Sequence, residues 1–73
     1  MASENIEAPL PGKIIKVNVK PGDKVAEMDE VFVIEAMKME NPIISPVSGS
    51  VKEVSATVGK VVKAGEVLAI IEY

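Results

Sequence analysis

The 73-residue chain has no cysteine and no histidine, all eight of its basic residues are lysine, and its only aromatic residues are one tyrosine and one phenylalanine. Without cysteine there is no disulfide, no thiolate metal site and no cysteine nucleophile. Without histidine the commonest general base and the commonest zinc ligand are missing. Without arginine nothing can clamp a phosphate or carboxylate bidentately. No catalytic or metal-ligating residue is assigned, and acid–base work by carboxylates stays open.

Other absences narrow the partners. The net charge of −3 and the lack of a basic cluster argue against nucleic acid, and two aromatic residues cannot form a stacking platform. The longest apolar runs, VFVI and VLAII, are far shorter than the roughly 20 residues of a membrane-spanning helix. The start MASENIEA lacks the basic and apolar regions of a signal peptide. The expectation is a soluble, cytoplasmic domain with no nucleic-acid partner and no direct membrane insertion. Residues 1–73 read as one domain, with 1–5 as a flexible N-terminus.

What the chain does contain is a repeat. Shifted by 37 positions, residues 6–35 align without a gap on residues 43–72. Identical pairs include Ile6/Ile43, Pro9/Pro46, Gly12/Gly49, Val17/Val54, Gly22/Gly59, Val25/Val62, Ile34/Ile71 and Glu35/Glu72. Leu10/Val47, Ile14/Val51, Asp29/Glu66, Val31/Leu68 and Val33/Ile70 are conservative pairs. Between the copies lies the segment AMKMENP, with Lys38 at the seam.

Each copy reads as β structure. Val and Ile supply twenty residues, Gly or Pro punctuates at short intervals, and five prolines interrupt every window long enough for a helix. The first copy predicts a short strand around 6–8, a turn at PLPG and a strand over 13–19. Ile14 is out of phase with Val17 and Val19, and Val51 is likewise out of phase in the second copy. A period break at the same place twice predicts a β-bulge or bend. PGDK and VGKV read as turns, and VFVIEAM and VLAIIEY as buried strands. Gly12, Gly22, Gly49 and Gly59 read as positions needing positive φ or close backbone approach. Eight short strands in two related sets predict an all-β flattened barrel or sandwich with quasi-twofold symmetry, and a hairpin at the seam with Lys38 at its tip.

A lysine alone is ordinary surface charge, but this one occupies a tight turn at the seam of a repeat. Met37 and Met39 alternate with it, so the three side chains cannot all point inward. A soft apolar flank beside an exposed amine suits recognition by a partner protein. Glu35 reads as a solvated strand end or a specificity charge, and its mate Glu72 shows that the position need not be functional.

With those residues set out, EAMKME at 35–40 resembles the attachment motif of the biotin carboxyl carrier (biotinyl) domain family. The resemblance extends through APLPGKI at 8–14, KPGDKV at 20–25, SPVSGSV at 45–51 and AGEVLAIIE at 64–72. It implies a flattened eight-stranded barrel-sandwich hybrid, with the modified lysine on the hairpin between strands four and five. It implies that a biotin protein ligase joins biotin to Lys38 as an amide, removing one positive charge. Glu35, Ala36, Met37 and Met39 would be the neighbourhood that the ligase reads. The implied role is to carry carboxybiotin from a biotin carboxylase or decarboxylase site to a carboxyltransferase, a tether making each transfer effectively intramolecular. If the chain were part of a eukaryotic carboxylase, the mitochondrial matrix would be its compartment.

Three positions depart from the family pattern. Leu10 stands where Met is usual, Met28 where Gly is usual, and Pro42 where an acidic residue is common. Met28 predicts a changed geometry for the turn AEMDE, and Pro42 removes a backbone donor. The gapless first copy leaves no room for the extra thumb loop of some bacterial acetyl-CoA carboxylase carriers, favouring the thumbless carriers of other carboxylases and of decarboxylases. Two alternatives stay open. A lipoyl carrier has the same fold but usually reads Asp-Lys-Ala, which Met37 and Met39 oppose, and an unmodified β interaction module would leave Lys38 an ordinary charge.

Overall fold

Val, Ile and their turn residues set out eight strands: β1 (Ser3–Glu7), β2 (Gly12–Val17), β3 (Lys24–Val25), β4 (Glu30–Ala36), β5 (Met39–Ile44), β6 (Gly49–Val54), β7 (Val61–Val62) and β8 (Val67–Glu72). The structure is a computed structural model that describes residues 2–73. Among them there is no helix.

The strands form two antiparallel four-stranded sheets, ordered β1-β8-β6-β3 and β5-β4-β2-β7. The 37-residue shift turns one order into the other, β1 becoming β5, β8 becoming β4, β6 becoming β2 and β3 becoming β7. Each sheet therefore takes two strands from each half of the chain, and neither half completes a sheet alone. This is the flattened barrel-sandwich that the repeat and the motifs led us to expect.

Registers repeat as faithfully as residues. The β2–β4 ladder slips between Ile14 and Lys16, and the β6–β8 ladder slips between Val51 and Glu53. One extra residue per strand, Ile15 and Lys52, accounts for the two period breaks. Inward-facing Ile14, Val31, Phe32, Ile34, Val51, Val62, Leu68 and Ile71 are almost wholly buried and close the space between the sheets. VFVI, fully buried along β4, has the continuous apolar pattern of a strand covered on both faces.

Gly12, Gly22, Gly49 and Gly59 divide by cause. Gly22 and Gly59 have φ of +95° and +94° in matching turns. Gly12 and Gly49 are close approaches: a Cβ on Gly12 would lie 2.5 Å from Ile34 Cγ2 and 2.6 Å from the Glu35 carbonyl. A side chain there would push β2 off β4.

Two expectations change. Residues 3–5, read as part of a flexible N-terminus, form the start of β1 and pair with Glu72, Ile71 and Ile70, while Met1 lies outside the described residues. Ala2 and Tyr73 extend that ladder by mutual backbone hydrogen bonds of 2.8 and 2.9 Å. The segment looked loose because Ser, Glu and Asn are poor strand formers, but an antiparallel neighbour supplies the backbone partners that their side chains do not demand. The second change concerns Met28, whose turn keeps the geometry of its mate. Met28 has φ of +78° and Gly65 +85°. The Met28 N–H donates to Ser45 O at 2.8 Å, and the Gly65 N–H to Ala8 O at 2.8 Å. Carboxylates cap both turns: Asp29 accepts from the Ala26 N–H at 2.8 Å, Glu66 from the Lys63 N–H at 3.1 Å. A hydrogen bond from Lys60 and the Lys63 N–H hold the Glu66 carboxyl below its ordinary value. The turn is thus fixed by its hydrogen bonds, and Met28 accepts a left-handed conformation to fit it.

Candidate functional site

The seam is a hairpin whose register fixes every side chain around Lys38. Working outward from the core, β4 and β5 pair Val33 with Pro42, Ile34 with Asn41, Glu35 with Glu40 and Ala36 with Met39. Only Met37 and Lys38 are left for the loop. Both have positive φ, +54° and +63°. Two left-handed residues in a two-residue loop make a type I′ turn, whose twist matches that of the flanking strands.

Such turns favour Asn-Gly, because a side chain in the left-handed region costs about 1–2 kcal/mol per residue. Met-Lys breaks that rule at both positions. The broken rule coincides with the residue that the repeat and the motif singled out, as backbone strain tends to coincide with function.

The turn leaves its side chains in solvent. Met37 is 91% exposed and Met39 65%, and Lys38 and Glu40 are exposed too. Neither methionine fills the core, so burial does not explain the pair. Ala36 is half-buried above Gly12, where a Cβ would come within 3.3 Å of the Ala36 Cβ. Small residues at both positions let β2 pass directly beneath the base of the hairpin.

Charge is arranged unevenly below the turn. A two-residue loop is closed by a hydrogen-bonded pair, here Ala36 and Met39, and the alternation of antiparallel pairs makes Glu35 and Glu40 a non-hydrogen-bonded pair. Side chains approach most closely in such pairs, and like charges directly opposite are destabilising. Neither carboxylate has an ion-pair partner among the described residues. At the related position Glu72 meets Lys52 at 3.8 Å, but the mate of Lys52 is Ile15, so Glu35 lacks that cation.

The same alternation settles Pro42. Its pair with Val33 is non-hydrogen-bonded and β5 is an edge strand, so its nitrogen faces away from β4 and no ladder bond is lost. A residue not singled out from sequence, Asn41, donates from Nδ2 to the Met39 carbonyl at 3.2 Å and so braces the exit of the turn. Its only signal is a polar residue at a half-buried strand position. Glu35, Ala36, Met37, Lys38 and Met39 are all brought together at the hairpin, with Lys38 at the tip. What this arrangement offers chemically is a primary amine held clear of the domain between two polarizable apolar side chains.

Comparison with known proteins bears on the family and the fold. A family model described as "Biotin-requiring enzyme" matches residues 4–71. The mitochondrial propionyl-CoA carboxylase alpha chain of Homo sapiens is 44% identical over 70 residues, covering 96% of this chain and 10% of that one. The biotin carboxyl carrier protein of Streptococcus mutans is 42% identical over 65 residues, covering 89% of this chain and 50% of that one. The chain thus spans half or less of these relatives' own length. Among solved structures, the urea carboxylase of Kluyveromyces lactis superposes with a TM-score of 0.90 at 32% identity, covering 99% of this chain and 6% of that one.

Proposed function

The chain belongs to the family of biotin-requiring enzymes, and from that membership we propose that Lys38 is the residue that bears biotin, as an amide on Nζ. The domain is a biotin carboxyl carrier domain, the part of a biotin-dependent system that holds the cofactor and delivers it. The observation that carries the assignment to Lys38 is the type I′ turn, which puts one lysine of eight at the tip of a hairpin with solvent on all sides. The residues fit the group: the amine is free to form the bond, and no buried side chain has to move to accommodate what is attached.

Bound biotin supplies a ureido nitrogen that accepts and releases a carboxyl group; the chain's own residues present it. In ligation the Lys38 amine attacks the carbonyl of an activated biotinyl adenylate, forming the amide and releasing AMP and a proton. Met37, Met39 and Ala36 offer the apolar surface that a biotin protein ligase reads, and Glu35 sets the charge beside it. The hairpin keeps the attached group clear of the sheets, so that a biotin carboxylase or decarboxylase site and a carboxyltransferase site can each receive it. Tethering raises its effective concentration at both sites.

Coexpression with a biotin protein ligase tests this reading. The intact mass of the chain rises by one biotin less one water, and Lys38→Ala abolishes the increase. Equal labelling of the two chains contradicts it.

A further inference from the structure

We propose that Met37 and Met39 form a reversible oxidation site whose state decides whether Lys38 is accepted for acylation; the proposal rests on the attachment reading above. The oxidant is a hydroperoxide. The thioether sulfur attacks the O–O bond, one oxygen stays on sulfur as the sulfoxide, and the other leaves in the alcohol, or as water when the oxidant is hydrogen peroxide. Sulfur loses two electrons and the peroxide gains them.

Accessibility makes the site. Oxidation follows exposure of the sulfur-bearing side chain, and Met37 and Met39 are 91% and 65% exposed. Sulfoxide at a buried methionine disrupts a core, but neither of these belongs to the core cluster between the sheets. Oxidation here changes the surface beside Lys38 and leaves the fold alone. A soft apolar flank becomes polar and chiral on both sides of the amine. A ligase that buries the thioethers would have to bury an unpaired S=O group instead. Methionine sulfoxide reductases reverse the change, which makes the site a switch.

The molecule contains its own control. Met28 is 67% exposed, matching Met39, but its turn is bonded to Ser45 beyond the far end of β5. Six residues of strand place it about 20 Å from Met39. Met28 oxidises as readily as Met39 without touching the surface around Lys38.

The experiment treats the unmodified chain with hydrogen peroxide and separates the species by oxidation state. Peptides are mapped, and each species is incubated with biotin protein ligase, biotin and ATP. Species oxidised at Met37 or Met39 are expected to take up biotin about tenfold more slowly or worse, the penalty of one buried unpaired polar group. Species oxidised only at Met28 keep the untreated rate, thermal midpoints do not change, and reductase treatment restores the rate. An undiminished rate after oxidation at Met37 and Met39, or an equal loss after oxidation at Met28 alone, overturns the proposal. So does resistance of Met37 to peroxide, a result independent of ligation. Failure of the untreated chain to take up biotin refutes the attachment reading instead.

Discussion

The two ends of this molecule have related backbones and different connections. At one end β4 turns into β5 through Met37 and Lys38; at the other, the repeat puts Tyr73 and Ala2 where Ala36 and Met39 stand, paired but not joined. Glu35 at the first end faces Glu40 without a cation, whereas Glu72 at the second meets Lys52. Gly65 occupies a left-handed position at the first end, and Met28 the equivalent position at the second. The fold is thus compatible with either version at every one of these places. What distinguishes the Lys38 end is a covalent turn made of two residues that such turns disfavour, above two facing carboxylates without a cation.

The largest expected effect comes from erasing the difference in connectivity. Removing Met1 and joining Tyr73 to Ala2 through Asn-Gly gives the second end a two-residue hairpin of its own. Closing a loop of this length removes unfolded-state entropy worth on the order of 4 kcal/mol. Urea unfolding should register that gain, and a cyclic chain no more stable than the linear one would break the equivalence of the ends.

Gly12→Ala and Gly49→Ala are next. Each forces a methyl group against a neighbouring strand, and overpacking of this kind costs about 1–3 kcal/mol. The stability losses should match, but only Gly12→Ala disturbs the base of the hairpin and lowers the rate of biotin uptake by folded protein. An equal functional effect from Gly49→Ala would mean that the ends are coupled.

Smaller effects come from relieving strain. Met28→Gly removes a left-handed side chain and adds glycine's own entropy loss, for a net gain of roughly 0.5–1 kcal/mol. Met37→Asn should stabilise by a similar amount, since Asn tolerates the left-handed region. The pair separates strain that can be given up from strain that is used: Met28→Gly leaves biotin uptake unchanged, and Met37→Asn slows it. Thermal unfolding and ligation rates on the two variants decide this.

Much of this is legible in the sequence. The 37-residue shift identified the equivalent strands, both bulges and the seam, because residues facing a shared core are constrained alike in both copies. The shift could not show that β1 lies beside β8 and β3 beside β6. Equivalence says which strands are alike, and pairing across halves depends on how the two copies interlock. The strand over 3–5 was hidden because its partner is at the opposite end of the chain. The Met28 turn is not legible in the sequence because its geometry is set by bonds to Ser45 and Asp29 rather than by its own propensity. The unpaired state of Glu35 depends on Ile15 standing where Lys52 stands in the other copy, a contrast that matters only once the bulge has placed both side chains.

Site-resolved mass spectrometry of the ligated chain tests the central claim most directly, since eight lysines are present and only one lies in the strained turn. All of the biotin should be found on the peptide containing Lys38. Label distributed over the other lysines, or located at any one of them, would contradict the account.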